Sequence, residues 1–241
     1  MPPSESTRRL SRSQVITLYA KTSFLQTVQG QLEQEVLDHV KKSAPQGDSQ
    51  AVLDAIDSFP SDKGFLINIG KNKGRLVESV MNQHKPMVAL ELGSYVGYSA
   101  ITQARKLPAG GKLYGIELDP TNARITQEMV QHAGLSHKVE ILKGDLESSI
   151  LELHKHGVDT VNYVLIDHAH ECYLKDLLLL QHNGMLRKGS TVVADNVLLP
   201  GAPDYRRYIN TSAHFSTVEH IVDLPASHFI CDIMTVSKFL G

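Results

Sequence analysis

Tryptophan is absent from this 241-residue chain, and cysteine occurs only twice, as Cys172 and Cys231. Two cysteines are too few for a disulfide framework or a zinc knuckle, and their scarcity suits a reducing, cytoplasmic setting. Charge is nearly balanced, with a net value of −2 and a pI near 6.6, so no basic surface points to nucleic acid as a partner. Long apolar runs are missing as well. The longest near the N-terminus, residues 15–20, is far too short to span a bilayer, and no membrane partner is expected. Internal repeats and low-complexity blocks are also lacking. With 41 % hydrophobic and 21 % charged residues, the chain has an ordinary soluble composition and enough length to bury a sizeable core.

Residues 1–12 are polar, carry Arg8, Arg9 and Arg12, and are expected to form a flexible leader. Residues 13–241 read as one domain, with a helical cap over 13–85 and an α/β core over 86–241. Leu32, Val36, Leu37 and Val40 recur at helical spacing within a predicted helix at 13–43. Ala44-Pro45-Gln46-Gly47 breaks it, Asp48 or Ser49 can cap a second helix, and a third is predicted over 73–83. Beyond Pro86, strands predicted at 87–92, 112–117, 138–142, 161–166 and 190–195 alternate with helices at 97–106, 120–133, 146–156 and 172–183. Such alternation implies a parallel sheet with right-handed crossovers. Two closing β-like runs, 216–224 and 231–239, have no helix-length spacer and should pair antiparallel. The expected fold class is α/β: a doubly wound, mostly parallel seven-stranded sheet with an antiparallel C-terminal hairpin and extra N-terminal helices.

The run from Val88 to Ala100 reads as a buried strand, a glycine turn and the start of a helix. Gly93 and Gly97 are spaced G-x-x-x-G, whereas a pyrophosphate cradle wants G-x-G-x-x-G with its amides aimed at an anion. Glu91 beside the turn would repel a pyrophosphate but attract a cationic or hydroxyl-bearing ligand. The loop therefore suits a nucleoside without phosphates, and S-adenosylmethionine is the obvious candidate. Glu117 ends the second strand 24 residues after Gly93, about where an acid binds two ribose hydroxyls, while Asp119 before Pro120 is placed to cap the next helix. Asp145 ends the third strand and either approaches an adenine amino group or caps the helix that follows.

Two later strands each finish in a carboxylate: Val164-Leu165-Ile166-Asp167 and Val192-Val193-Ala194-Asp195-Asn196. If those strands are neighbours, Asp167, Asp195 and the Asn196 amide converge, and three hard oxygen donors with room for water describe a Mg²⁺ site. The competing reading is that both aspartates only cap helices. His168, His170, His154 and His156 invite a zinc reading that lacks convergent sulfur ligands.

These motifs, in this order, resemble the catechol O-methyltransferase family: E-L-G-S-Y-V-G-Y-S-A at 91–100, G-I-E-L-D-P at 115–120, L-I-D-H at 165–168, L-R-K-G-S-T-V-V-A-D-N-V at 186–197 and P-G-A-P-D at 200–204. The likeness extends upstream through 54–57 and 67–74, covering about residues 30–210. It implies a class I, Rossmann-like methyltransferase that moves a methyl group from S-adenosylmethionine to one hydroxyl of a Mg²⁺-chelated catechol. By position, Ile67, Asn68 and Ile69 would wall the methionine end of the cofactor. Glu91, Gly93, Ser94, Tyr95 and Ser99 would hold its amino-acid moiety and Glu117 the ribose, His168 would lie near the adenosine, and Leu118 is a further expected cofactor-binding residue. Asp167, Asp195 and Asn196 match the metal ligands, with Asp167 bordering the cofactor too.

The departures lie on the acceptor side. His170 stands where the family has a lysine base, Ala169 where it has a tryptophan, and Phe65 where it has a second, gating tryptophan. The family's late glutamate falls near Leu224-Pro225-Ala226, with Asp223 close but out of alignment. Histidine titrates near 6.5 against about 10.4 for lysine, so His170 is the expected base. A small-molecule acceptor is the expected partner, with the chain a monomer or weak dimer. The rivals are the same chemistry on another vicinal hydroxy-phenol or diol, a degenerate cofactor-binding protein, and a nicotinamide dehydrogenase, which the missing G-x-G-x-x-G disfavours.

Overall fold

Apolar residues that alternate along short strands sort the helices into two layers. The computed structural model describes residues 30–60, 66–224 and 227–241. Its strands are β1 (Val88–Leu92), β2 (Lys112–Glu117), β3 (Val139–Lys143), β4 (Val161–Ile166), β5 (Leu186–Ala194), β6 (Phe215–Leu224) and β7 (Ser227–Phe239). They form one sheet in the order β3-β2-β1-β4-β5-β7-β6. The first five strands run parallel, and β7 lies antiparallel between β5 and β6. The mostly parallel sheet with an antiparallel C-terminal hairpin is the one the sequence predicts.

In β4, Tyr163 and Leu165 enter one apolar cluster while Val164 and Ile166 enter the other, the period of two that a sheet buried on both faces requires. The first cluster takes α1 (Gln31–Ser43), α2 (Ser49–Asp57), α3 (Gly70–His84), α4 (Tyr98–Ala104) and α5 (Pro120–His132). The second takes α6 (Leu146–Lys155), α7 (Tyr173–His182) and α8 (Pro203–Thr211). The leader and the predicted helical residues 13–29 lie outside the described residues. Among those described, no helix is long and apolar enough to cross a membrane.

Local signals act where the sequence places them. Asp48 caps α2 by accepting the Gln50 and Ala51 amides at 3.0 Å each, and Asp119 caps α5 by accepting those of Thr121 and Asn122. Helix α3 ends with Lys85 in the left-handed conformation, immediately before Pro86. Helix α8 has no counterpart among the predicted elements. Only Tyr205 and Ile209 of it are buried, too sparse a stripe for periodicity to flag, although Pro203 at its first position is a start signal.

The chain runs outward from β1 through β2 to β3, then returns to lay β4 on the other edge of β1. Connections diverge at that reversal and open a crevice at the carboxyl ends of β1 and β4. Gly93 makes the close approach there possible. Its φ is +88°, and a Cβ would stand 2.5 Å from the Asp167 carbonyl oxygen. Gly93→Ala should therefore lose about 3 kcal/mol or more in urea unfolding. Gly189→Ala, also at positive φ but with nothing within 4 Å, should lose only about 1 kcal/mol. Equal losses would remove the close contact as the reason for Gly93.

Candidate active site

Strand register puts the functional residues on one level. Leu92 pairs with Ile116 and Ile166, and Ile166 pairs with Ala194. The next residue of each strand, respectively Gly93, Glu117, Asp167 and Asp195, therefore emerges at a common rim. The ladder continues one step into these residues: the Gly93, Asp167 and Asp195 amides donate to the carbonyls of Ile116, Leu92 and Ile166 at 2.9, 2.9 and 3.0 Å.

Glu117 organises the loop after β1. Its Oε2 accepts the Ser94 and Tyr95 amides at 2.9 and 3.0 Å, and its Oε1 accepts the Asp119 amide at 3.0 Å. Tyr95 has a positive φ of 48°, which turns successive amides toward this carboxylate. The Tyr95 hydroxyl donates to Glu33 Oε1 of α1 at 3.0 Å and is also bonded to the Ile67 backbone. The 67–69 segment is thereby tied to the glycine loop, with Ile67 exposed, Asn68 half-buried and Ile69 buried.

Glu91 sits beneath that loop, fully buried. Its Oε1 accepts from Gln103 Nε2 at 2.7 Å and its Oε2 from the Ser94 hydroxyl at 3.1 Å, with Ser99 a further donor. Burial pushes its carboxyl up to about 7 despite these donors. Asp145 serves as the cap of α6, accepting the Ser148 amide at 2.9 Å and hydroxyl at 2.6 Å, and those bonds hold it below its ordinary value. Leu118 is exposed beside Glu117.

The acids form a second group on the rim. Lys73 of α3 is buried and places Nζ 2.6 Å from Asp195 Oδ1 and 2.7 Å from Asp232 Oδ2. Burial alone would lower its pKa, but the charges of Asp195 and Asp232 raise it. Asp167 is held well above the ordinary carboxylate range by burial and then by the charge of Asp195, and Asp195 is raised mainly by burial against the pull of Lys73. Asn196 adopts a left-handed conformation, φ 53°. Both its amide hydrogens are used, on Leu199 O at 2.8 Å and Asp232 Oδ2 at 3.0 Å, so its oxygen is the atom left for a ligand. No group of three or more His, Cys, Asp or Glu side chains able to hold a metal ion occurs among the described residues; the set here is two carboxylates and an amide. Its chemistry fits a hard cation, because a buried carboxylate and a half-buried one that resist sharing negative charge lie beside an amide oxygen.

Three rings stack above the rim. Tyr173 lies 5.3 Å from both the His168 and His170 rings, at interplanar angles of 13° and 27°. His168 Nε2 meets Asp176 Oδ2 at 2.7 Å, while its Nδ1 and the Tyr173 hydroxyl are buried without a hydrogen-bond partner among the described residues. Burial lowers the His170 pKa below its ordinary 6.5, and the charges of Asp232 and Lys73 both reach it. Ala169 is exposed, and so is Asp223, whose Oδ1 accepts from the Cys231 thiol at 3.4 Å. Phe65, Pro225 and Ala226 lie outside the described residues. Lys73, Tyr173 and Asp232 were not among the residues singled out in the sequence; an aspartate inside the otherwise apolar β7 run I-C-D-I-M is the one signal that could have found any of them.

A family model described as O-methyltransferase matches residues 48–207. The catechol O-methyltransferase of Mus musculus is 44 % identical over 192 residues, covering 79 % of this chain and 72 % of that protein. The chain belongs to the O-methyltransferase family. A probable O-methyltransferase of Mycobacterium tuberculosis is 36 % identical over 216 residues, covering 87 % of this chain and 92 % of its own length. Among solved structures, the Bacillus cereus O-methyltransferase in complex with SAH superposes with a TM-score of 0.66 at 17 % identity, over 92 % of this chain and 98 % of that one. TomG of Streptomyces achromogenes, in complex with SAM, gives 0.62 at 22 % identity, over 70 % of this chain and 80 % of its own. Both support the class I methyltransferase fold for this O-methyltransferase.

Glu91 makes the stability of this O-methyltransferase depend on pH. Its folded value of about 7 lies above the ordinary 4.5, so the folded state keeps a proton that the unfolded state gives up. The contribution is full at low pH and is lost as pH rises through about 7. Glu91→Gln should remove that loss, so that stability falls on the order of 2 kcal/mol less between about pH 5 and pH 8 than in the wild type. Parallel pH profiles of the two proteins in urea titrations would contradict this role.

Proposed function

We propose that this enzyme transfers a methyl group from S-adenosylmethionine to one hydroxyl of a catechol-type acceptor, with Mg²⁺ held by Asp167, Asp195 and Asn196. The observation that carries the reading is the common rim: two mutually repelling carboxylates, one buried and one half-buried, and a free amide oxygen sit on the level of the glycine loop, at the mouth of the sheet reversal. His168 Nδ1, the residue after Asp167 on the same rim, adds a buried polar atom without a partner among the described residues.

Ile67, Asn68 and Ile69 would wall the methionine end of the donor, and Gly93, Ser94, Tyr95 and Ser99 would line its amino-acid part. Glu91 supports that loop from below. Glu117 holds two loop amides on one oxygen and one amide on the other, which leaves lone-pair capacity on Oε1 for a ribose hydroxyl. Leu118 would cover the nucleoside, Asp145, whose cap bonds to Ser148 both use Oδ1, would offer its other oxygen to the adenine amino group, and His168 Nδ1 would meet the adenosine. A divalent ion at the rim would supply Lewis-acid stabilisation of the ionising phenol. His170 is then the base that takes the acceptor's hydroxyl proton on an imidazole nitrogen, and burial keeps it neutral and ready to do so. Ala169 leaves that side of the acceptor site open, which favours testing acceptors larger than catechol itself.

Labelled methyl transfer to a panel of catechols and other vicinal hydroxy-phenols, with and without EDTA, tests the proposal. Transfer that requires both a vicinal diol and the metal is the expected result, and transfer indifferent to EDTA would overturn it. His170→Ala should lower kcat at least about tenfold. Because burial shifts His170 down, the wild-type rate should be flat at neutral pH and decline only on the acid side of 6.5. A slowdown under tenfold with an unchanged pH profile would remove His170 as the base.

A further inference from the structure

Asp232 is completely buried, and every acceptor position it offers is taken. Its Oδ1 accepts the amides of Leu198, Leu199 and Ile233 at 3.2, 2.9 and 2.7 Å. Its Oδ2 accepts from Lys73 Nζ at 2.7 Å and Asn196 Nδ2 at 3.0 Å. One side chain of the antiparallel hairpin thus holds the whole turn that follows β5. Because β7 runs against β5, with Thr235 opposite Ala194, Asp232 rises at the same end of the sheet as Asp195.

The consequence falls on single atoms. Asp195 Oδ1 is occupied twice, by Lys73 Nζ at 2.6 Å and by the Asn196 amide at 2.6 Å, so Oδ2 is the atom left to face a ligand. Asn196 has its amide end fastened to Asp232 and Leu199, so it too can offer one oxygen. A carboxylate restricted to one oxygen suits Mg²⁺, which demands a small octahedral shell, and disfavours Ca²⁺, which takes six to eight ligands and often both oxygens of a carboxylate. Asp167, Asp195 and Asp232 also outnumber Lys73 so that, when ionised, they leave the charge that one divalent ion cancels.

We propose that Lys73 and Asp232 are positioning residues that restrict Asp195 and Asn196 to one oxygen each and make the rim selective for a small divalent cation over a large one. The inference rests on the cation site proposed above. It assigns roles to two residues that touch neither the ion nor the substrates, through bonds already made in the structure.

Titration of the full-length protein with Mn²⁺, followed by the electron paramagnetic resonance of the free ion, and with Ca²⁺ as competitor, tests it. Asp232→Asn would set an amide against Lys73 Nζ or against the Leu198 and Leu199 amides, and should weaken Mn²⁺ binding about 10- to 100-fold. Lys73→Met/Asp232→Asn removes one charge of each sign, so that Asp232 is not stranded without its ammonium, and leaves Asp195 held on Oδ1 by the Asn196 amide alone. It should weaken Mn²⁺ binding at least about tenfold and narrow the preference for Mn²⁺ over Ca²⁺ at least about fivefold, since Asp195 Oδ1 loses the ammonium and keeps only the Asn196 amide, which leaves it a lone pair for a larger ion. S-adenosylmethionine affinity should stay within about twofold in both, which a general loss of structure would not allow. Mn²⁺ affinity and the Mn²⁺ to Ca²⁺ ratio both within about threefold of wild type in folded variants would overturn the assignment. Wild-type protein that binds no Mn²⁺ would instead overturn the cation site itself, and this inference with it.

Discussion

One buried ammonium shared between two buried carboxylates is the interaction on which the rim depends. Taking a charge out of water costs several kcal/mol, and leaving one unpaired inside a protein costs about 3–5 kcal/mol, so Lys73, Asp195 and Asp232 are tolerable only together. Their bonds join α3, the end of β5 and the middle of β7, three elements far apart in sequence. Among the described residues Asp167 has no ion-pair partner, and burial with the nearby charge of Asp195 drives it toward protonation against the pull of Lys73. That imbalance of charge is what the proposed divalent ion would offset.

The sheet supplies the level surface on which this works. Parallel register carries β1, β2, β4 and β5 to a common height, so the residue after each strand lands beside the others without any special loop. Close approach is possible because side chains are missing where backbones converge. A Cβ on Gly93 would strike the Asp167 carbonyl at 2.5 Å, and one on Gly115 would strike the Ser94 hydroxyl at 2.6 Å. Glu117 then converts the glycine turn into a fixed loop by collecting its amides. Packing, backbone conformation and charge thus act at successive heights of one crevice.

Much of this could be read in advance, for physical reasons. Four apolar residues followed by a carboxylate announce a buried strand with an acid at its end, which is how Asp167 and Asp195 were legible before their strands were known to be neighbours. Helix caps were legible because Asp48, Asp119 and Asp145 act on amides two or three residues away. Lys73 and Asp232 were not legible, since their partnership spans 159 residues and depends on the antiparallel placement of β7. The same holds for Tyr173, whose hydroxyl gains significance only from the acids that burial brings to it. Helix α8 escaped because two buried residues do not make a period. The departures at Phe65 and around 224–226, which bear on the acceptor, fall outside the described residues or on a side chain that is not described.

The most direct test of the central claim is a crystal structure of the wild-type enzyme grown with Mn²⁺ and S-adenosylmethionine, with the metal located by its anomalous signal. The account predicts one peak about 2.1 Å from single oxygens of Asp167, Asp195 and Asn196, with Lys73 still on the other Asp195 oxygen. A peak elsewhere, or an Asp195 that has left Lys73 to bind the ion with both oxygens, would contradict it.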